Sequence, residues 1–231
     1  IVVTGDTKVV EKGKGDKIFI NTTGLGEIPE SAHIDPDNIK IGDKIILSCH
    51  MAMHGLTIMS LREGLNFESS LKSDTQPLNQ ITEALIQKFS SSIHLLRDPT
   101  RGGVASVLNE IASYSKLGIE INENELPLNP TVDAACEMLG LDPLFVANEG
   151  LFLAFVDNQS ANTILDFLKS TDSCPDAAII GEVVADHNSK VIIKNNVIDV
   201  LDSETSMGVQ VFSSSNITVR ENAITSKRTP L

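Results

Sequence analysis

The stretch Arg97-Asp98-Pro99-Thr100-Arg101-Gly102-Gly103-Val104 is the most informative part of this 231-residue chain. Val104 is followed at three, four and seven positions by the apolar residues Val107, Leu108 and Ile111, and this spacing puts all four on one helical face. We therefore predict a helix over residues 101–116 whose apolar face packs in the core.

The start of this helix carries two glycines, Gly102 and Gly103. Asp98 or Thr100 is positioned to cap the first amide groups. Each glycine in the first turn costs roughly 1 kcal/mol, and the cost is tolerated where the backbone approaches something closely. That partner is either a phosphate bound at the helix N-terminus or, with an ordinary cap, the sheet packed closely against the helix, and the spacing leaves both open.

Strand-like and helix-like stretches alternate on both sides of this motif, which predicts an α/β or α+β fold. The expected elements are a strand at 44–48, helices at 54–64 and 78–92, the helix at 101–116, a strand at 118–122, a helix at 130–139, a strand at 151–156, a helix at 160–170, a strand at 178–184 and a hairpin at 190–201.

The N-terminal part has a different composition. Residues 1–10 and 17–22 are rich in β-branched residues, which predicts two strands, and residues 27–43 read as a linker. We place domain boundaries that divide the chain into 1–42, 43–201 and a weakly ordered tail at 202–231. Because the chain opens inside a β-rich run, we expect sequence upstream of it.

Charge and composition exclude several classes of protein. The net charge of −13 argues against a nucleic-acid binder, which needs a clustered basic surface. The longest apolar stretches are far shorter than the roughly 20 residues of a membrane span. Three cysteines without a CxxC pair argue against a disulfide framework, so we expect a soluble cytoplasmic protein.

Three further motifs carry possible chemistry. Thr4-Gly5-Asp6-Thr7-Lys8 offers a carboxylate, a hydroxyl and an ammonium group for Mg²⁺ and phosphate, although a Gly-Asp turn between strands is common. Cys49-His50-Met51-Ala52-Met53-His54 places two imidazoles four apart, as in a metal site on a helix, or is an ordinary loop. Asn148-Glu149-Gly150 precedes a core strand and serves either a site or a turn. His33, His94 and His187 are given no role.

Taken together and in order, these motifs resemble the HypE family of the PurM-like (AIR synthase) superfamily. The resemblance covers about residues 1–201. Its segments are Gly5-Asp6-Thr7-Lys8-Val9-Val10, Ile18-Phe19-Ile20-Asn21-Thr22, Ile41-Gly42-Asp43-Lys44-Ile45-Ile46, His54-Gly55 with Arg62-Glu63-Gly64-Leu65, Asp98 through Val104 with Leu108-Asn109-Glu110, and Val146-Ala147-Asn148-Glu149-Gly150.

The resemblance implies a two-domain α/β architecture with a partial N-terminal, ATP-binding and dimerising domain and a C-terminal α/β sandwich domain. It implies ATP and Mg²⁺ as cofactors. The implied activity is the ATP-dependent dehydration of a protein thiocarbamate to a thiocyanate for the cyanide ligands of NiFe-hydrogenase. The implied partners are a second copy of the chain, a HypF-like carbamoyltransferase and HypC/HypD-like maturation proteins.

The resemblance also assigns roles to residues. His54 and Glu149 are the implied catalytic residues, and Asp6 is the implied metal ligand. The implied nucleotide-binding residues are Asp6, Thr7, Lys8, Asp98, Thr100, Arg101, Gly102 and Gly103.

The chain departs from the family pattern at two further places. Met53 stands where the family has an acid before His-Gly, and none of the three cysteines matches the family's C-terminal acceptor cysteine. We therefore expect that this chain does not accept a carbamoyl group. Two alternatives stay open: a catalytically impaired homologue that acts as a binding or scaffold subunit, and another ATP-dependent enzyme of the superfamily that acts on a small molecule.

Overall fold

The structure is a computed structural model that describes residues 3–7, 9–13, 21–64 and 71–194 and the backbone of three later strands. The helices are α1 (Met53–Glu63), α2 (Asn79–Phe89), α3 (Gly103–Ser115), α4 (Pro130–Leu139) and α5 (Ala161–Lys169). The strands are β1 (Lys44–Leu47), β2 (Ile93–Arg97), β3 (Gly118–Asn122), β4 (Leu153–Val156), β5 (Ala178–Val184), β6 (Val191–Lys194), β7 (Val197–Leu201), β8 (Ile217–Val219) and β9 (Ala223–Lys227).

Within the described residues, seven strands form one mixed sheet in the order β2-β4-β1-β5-β3-β6-β8. β4 runs antiparallel to both of its neighbours, β1 and β2, while β3, β6 and β8 run parallel to one another. β7 and β9 form a separate parallel pair. This mixed sheet with flanking helices confirms the predicted α/β class.

The central strands are buried on both faces. Ile45 and Leu47 of β1 belong to the apolar cluster under α3, whereas Ile46 between them belongs to the cluster under α2 and α5. Side chains alternate between the two faces of a strand, so an uninterrupted apolar run such as β1 requires cover on both sides. The result is a sheet with helices on both faces.

The strand order brings three chain connections to one end of the sheet. Leu47 at the end of β1 and Arg97 at the end of β2 both pair with Leu153 at the start of β4. The segment before α1, the segment before α3 and the turn before β4 therefore start from neighbouring points. Sequence motifs that lie far apart along the chain converge there.

The predicted elements between residues 44 and 184 are confirmed to within three residues, with α2 ending at Phe89 in a short 3-10 helix, whereas β2 was not predicted. The prediction of a hairpin at 190–201 is wrong: β6 pairs with β3 and β8, and β7 pairs with β9. The segment predicted to be a weakly ordered tail contains β8 and β9.

The predicted N-terminal strands are not found in the described residues. Residues 3–7 and 9–10 form no strand and are exposed, and residues 14–20 lie outside the described part of the chain. β-branched composition favours a strand, but a strand also needs a neighbour along its edge, and no described strand pairs with residues 3–7 or 9–10.

A buried hydrogen-bonded pair fixes the entry to the sheet. The Nδ1 atom of His94 in β2 lies 2.7 Å from Oδ2 of Asp43, and this oxygen also accepts the amide of Lys40 at 2.8 Å. Both side chains are almost fully buried. His94 thus lies inside a strand, where it ties β2 to the segment that leads into β1.

We expect Asp43→Ala to lower the free energy of unfolding by about 3–5 kcal/mol, because it leaves His94 buried without its partner. Urea denaturation measures this change. Asp166→Ala, at an exposed position of α5, is the matched control and should change stability by about 0.5 kcal/mol or less. A similarly small loss for Asp43→Ala would contradict a structural role for the pair.

Candidate functional site

The α3 helix begins with two glycines in the left-handed conformation. Gly102 and Gly103 have φ angles of 72° and 66°. No side chain caps the helix, so the predicted cap by Asp98 or Thr100 is wrong. The Asp98 carboxylate instead accepts Thr100 Oγ1–H at 2.7 Å and pairs with Arg97 at 2.6 Å. Those two partners hold the carboxylate away from the helix amides.

Gly103 shows why a side chain is not tolerated at the second position. A Cβ atom there would lie 2.3 Å from the carbonyl oxygen of Leu144, in the 3-10 helix Pro143–Phe145. Close packing therefore accounts for Gly103, although the neighbour is this 3-10 helix and not the sheet. Arg101 and Gly102 are exposed and remain the accessible part of the motif.

The side chain of Asn148 joins the converging segments. Its Oδ1 accepts the amide of Ala52 at 2.7 Å, just before α1, and its Nδ2 donates to the carbonyls of Pro99 and Val146, each at 3.0 Å. Asn148 is buried, and Ala52 has a φ of 67°, which is unusual for a non-glycine residue. These bonds keep the loops before α1 and α3 together.

His54 and Glu149, which the sequence predicts to be catalytic, lie side by side. His54 is in the first turn of α1, and its Nε2 lies 4.0 Å from Oε1 of Glu149. Close backbone contact brings them together, since the amide of Gly55 donates to the carbonyl of Ala147 at 3.0 Å and a Cβ on Gly55 would lie 2.5 Å from Val146.

A segment without a predicted role completes this arrangement. Ser73 Oγ lies 2.9 Å from Nδ1 of His54, and Asp74 Oδ1 accepts the amide of Glu149 at 3.0 Å. We call His54, Ser73, Asp74 and Glu149 the site cluster. The sequence signal that could have found the segment is weak: Ser73-Asp74-Thr75-Gln76-Pro77 reads as an ordinary polar turn.

Gln76 ties the same segment to the turn before β4. Its Nε2 donates to the carbonyls of Gly150 at 2.8 Å and Ser173 at 3.1 Å. A Cβ atom on Gly150 would lie 1.8 Å from the carbonyl oxygen of Asp74. The segment is therefore packed directly on the backbone that carries Glu149.

The electrostatics of the site cluster centre on Asp74. Burial raises the pKa of its carboxyl group above the usual 3.8, against the opposing effects of the Glu149 amide and the charge of His54. Its Oδ2 atom is buried and has no hydrogen-bond partner within the described residues. The Glu149 carboxyl group and the His54 imidazole, 4.0 Å apart, are both groups that can accept or donate protons to a substrate bound beside them.

The alternative of a two-histidine metal site is not supported. α1 begins after His50, so His50 and His54 do not share a helical face, and His50 pairs with Asp176 at 3.0 Å. Among the described residues, no group of three His, Cys, Asp or Glu side chains is arranged to hold a metal ion.

The predicted Mg²⁺ ligand lies in the exposed N-terminal part. Asp6 is exposed, and its Oδ1 accepts the amide of Thr7 at 2.8 Å. Lys8 lies outside the described residues.

Comparison with known proteins defines the class first. Residues 40–194 match the family described as AIR synthase related protein, C-terminal domain. The chain is 48% identical over 187 residues to the carbamoyl dehydratase HypE of Azotobacter vinelandii, across 81% of this chain and 54% of that protein. The chain thus spans about half the length of the curated relatives it matches.

Two solved structures agree with this assignment. HypE in a crystal structure of a HypE-HypF complex is 42% identical with a TM-score of 0.67, over 70% of this chain and 52% of that chain. HypE in a crystal structure with ATP is 38% identical with a TM-score of 0.66, over 69% of this chain and 49% of that chain. The chain belongs to the HypE family of AIR synthase-related proteins, which confirms the resemblance seen in the sequence. No described helix has the length and apolar character needed to span a membrane.

Gly103→Ala should be more destabilising than Gly140→Ala, and urea denaturation of the two variants checks this. Both glycines have a φ of 66°, but a Cβ on Gly140 meets nothing within 4 Å. We expect Gly140→Ala to cost about 1–2 kcal/mol from backbone strain and Gly103→Ala to cost about 1–3 kcal/mol more from the clash with Leu144. Equal losses would argue against the packing role of Gly103.

The three cysteines should react with iodoacetamide in a fixed order, with Cys49 first. Cys136 and Cys174 are buried, whereas Cys49 is half-buried. Burial raises the pKa of all three thiols, that of Cys174 to about 11, and the thiolate is the reactive form. Peptide mass mapping at neutral pH measures the order. Labelling in urea should equalise the three rates; a native-state rate for Cys136 above that of Cys49 would contradict the expectation.

Proposed function

We propose that this chain carries the part of the HypE carbamoyl dehydratase site that an AIR synthase-related C-terminal domain supplies. The reaction is the ATP-dependent dehydration of a protein thiocarbamate to a thiocyanate. The observation that carries the proposal is the site cluster, in which His54 and Glu149 lie 4.0 Å apart beside the start of α1. The relative from A. vinelandii is named a carbamoyl dehydratase, which supports the substrate class.

The residues of the site cluster have the chemistry that dehydration requires. When bound, ATP supplies the phosphoryl group that makes the carbamoyl oxygen a leaving group. The nitrogen of the carbamoyl group must then lose its protons as phosphate departs. In the proposed mechanism Glu149 accepts a proton as a carboxylate, and His54, oriented by Ser73 through Nδ1, accepts or relays the second.

The residues at the start of α3 fit a nucleotide. Arg101 and Gly102 are exposed just before a 13-residue helix whose first residues, Gly103 to Ala105, are buried, so the guanidinium group and the Gly102 backbone are the groups that a phosphate can reach. We propose Arg101 and Gly102 as the contacts, with Asp98, Thr100 and Gly103 shaping the loop. The HypE structure solved with ATP supports ATP as the nucleotide.

Mg²⁺ fits the exposed N-terminal segment. A magnesium ion that accompanies a nucleotide takes one or two carboxylates and completes its coordination with phosphate and water, so the described residues need no group of three ligands. We propose Asp6 as the metal ligand, with Thr7 and Lys8 near the phosphates.

We also propose a domain organisation and partners. Residues 1–42 form the remainder of the nucleotide-binding, dimerising domain, 43–201 the C-terminal domain and 202–231 a tail. The exposure of residues 21–31 and the family match that starts at residue 40 support a boundary before β1. The proposed state is a cytoplasmic homodimer. A HypF-like carbamoyltransferase, supported by the HypE-HypF structure, and HypC/HypD-like proteins are its partners.

A second candidate function is that of a binding or scaffold subunit without catalysis. Met53, at the family's acidic position, is half-buried and packs against the apolar cluster between α1 and α4. A methionine in that packing holds no proton and binds no cation, so the position that precedes His54 in the sequence supplies no acid. This observation favours a homologue that binds the same partners but turns over slowly.

One experiment separates the two functions. A peptide with an S-carbamoyl cysteine is incubated with ATP, Mg²⁺ and this chain joined to the part of the A. vinelandii relative that the chain does not match, so that both parts of the site are present. Loss of water is followed by mass spectrometry. The dehydratase proposal expects turnover that falls by about 10²–10⁴-fold in Glu149→Gln and in His54→Asn. Glu137→Gln, at an exposed position of α4, is the matched control. Binding of the HypF-like partner without any turnover would support the scaffold function and overturn the first proposal.

A further inference from the structure

Asp74 is the half-buried carboxyl group of the site cluster for which the proposed reaction has no use. It lies in the segment between α1 and α2, and its contacts all go to the turn before β4 and to α1. Its Oδ1 accepts the Glu149 amide at 3.0 Å, and its own carbonyl oxygen packs where Gly150 leaves no room for a side chain. Asp74 therefore touches the backbone on both sides of the Glu149 carbonyl.

The second carboxyl oxygen of Asp74 has an unusual environment. Oδ2 is buried and lacks a hydrogen-bond partner within the described residues. Buried polar atoms are normally paired, and those left unpaired call for an explanation. An asparagine in its place would accept the same amide without placing a charge in this position.

Among the described residues, groups from three segments face Asp74. His54 faces it from α1, Cys49 from the segment after β1, and the amides of Glu149 and Gly150 from the turn before β4. Burial disfavours the carboxylate, whereas the charge of His54 and the amides of His54, Glu149 and Gly150 favour it. The ionisation of Asp74 is therefore set by the same residues that it holds.

We propose that Asp74 is a positioning residue whose carboxylate holds the Glu149 main chain and so fixes the Glu149 carboxyl group against His54. The inference rests on the proposed function of His54 and Glu149. A hydrogen bond to a charged carboxylate is stronger than one to a neutral acceptor. Protonation of Asp74 weakens the bond to the Glu149 amide and releases the turn.

The pH at which Asp74 becomes protonated is raised. Because burial raises the pKa of Asp74, protonation occurs at a higher pH than for an exposed aspartate. The ordered arrangement of Glu149 is present above that pKa and is lost as the pH falls through it. His54→Asn removes a charge that favours the carboxylate, so it should move the transition to still higher pH.

The test follows the backbone amide of Glu149 by ¹H–¹⁵N NMR as the pH of the full chain is lowered from 8. In the unaltered chain the Glu149 amide should shift in one step whose midpoint lies above the usual aspartate value of 3.8. In Asp74→Asn, which keeps an acceptor at Oδ1, the step should disappear. Asp172→Asn, at an exposed position, is the matched control and should keep it.

The outcomes decide the proposal without reference to activity. A step that persists in Asp74→Asn, or a Glu149 amide that does not respond to pH in the unaltered chain, would overturn it. If Asp74→Asn does not fold, the unaltered chain and His54→Asn are compared instead. The midpoint pH of the Glu149 amide should be higher in His54→Asn, and an unchanged or lower midpoint would overturn the proposal.

The dehydration assay then separates this inference from the proposed function. Asp74→Asn should lower kcat by up to about 10²-fold, the effect of a misplaced reacting group, with little change in the KM for ATP. Absence of turnover when the unaltered chain is joined to the missing part of the A. vinelandii relative would overturn the proposed function and leave the NMR result standing. Normal turnover in Asp74→Asn would overturn the positioning role alone.

Discussion

The buried side chain of Asn148 is the constraint on which the functional end of the molecule depends. One amide group bonds to the residue before α1 and to two carbonyls, one of them in the loop before α3. Each of those main-chain groups is buried, so loss of the side chain would leave three unsatisfied partners in the interior. The left-handed Ala52 is held by the same bond, and His54 follows it at the start of α1.

The sheet makes this constraint possible. β4 runs antiparallel between β1 and β2, so two strand ends and one strand start meet at Leu153. The core on both faces of the sheet keeps these points fixed, because close-packed apolar side chains allow little movement. Loops that leave this rigid edge can then hold reactive groups in fixed positions, as functional loops on a rigid sheet commonly do. The site cluster is built wholly from such connections and from the first turn of α1.

Local patterns predicted α3 and the buried strands well, since their signals lie within a few residues of one another. The spacing from Val104 to Ile111 reflects one helical face, and the apolar run of β1 reflects burial on both sides of a sheet. The cap at Asp98 and the hairpin at 190–201 were wrong for a shared reason. In both cases a partner that local sequence does not reveal took the group. Arg97 binds the Asp98 carboxylate, and β3 pairs with the edge of β6.

The sequence by itself determined the helices, the central strands, the family and the candidates His54 and Glu149. The tertiary structure alone decided that Asp74 meets Glu149, 75 residues away, and that Asn148 meets Ala52, 96 residues away. Helical and strand periodicity are short-range properties that a sequence displays directly. A hydrogen bond between distant turns depends on the order of the strands that carry them, and no local spacing records that order.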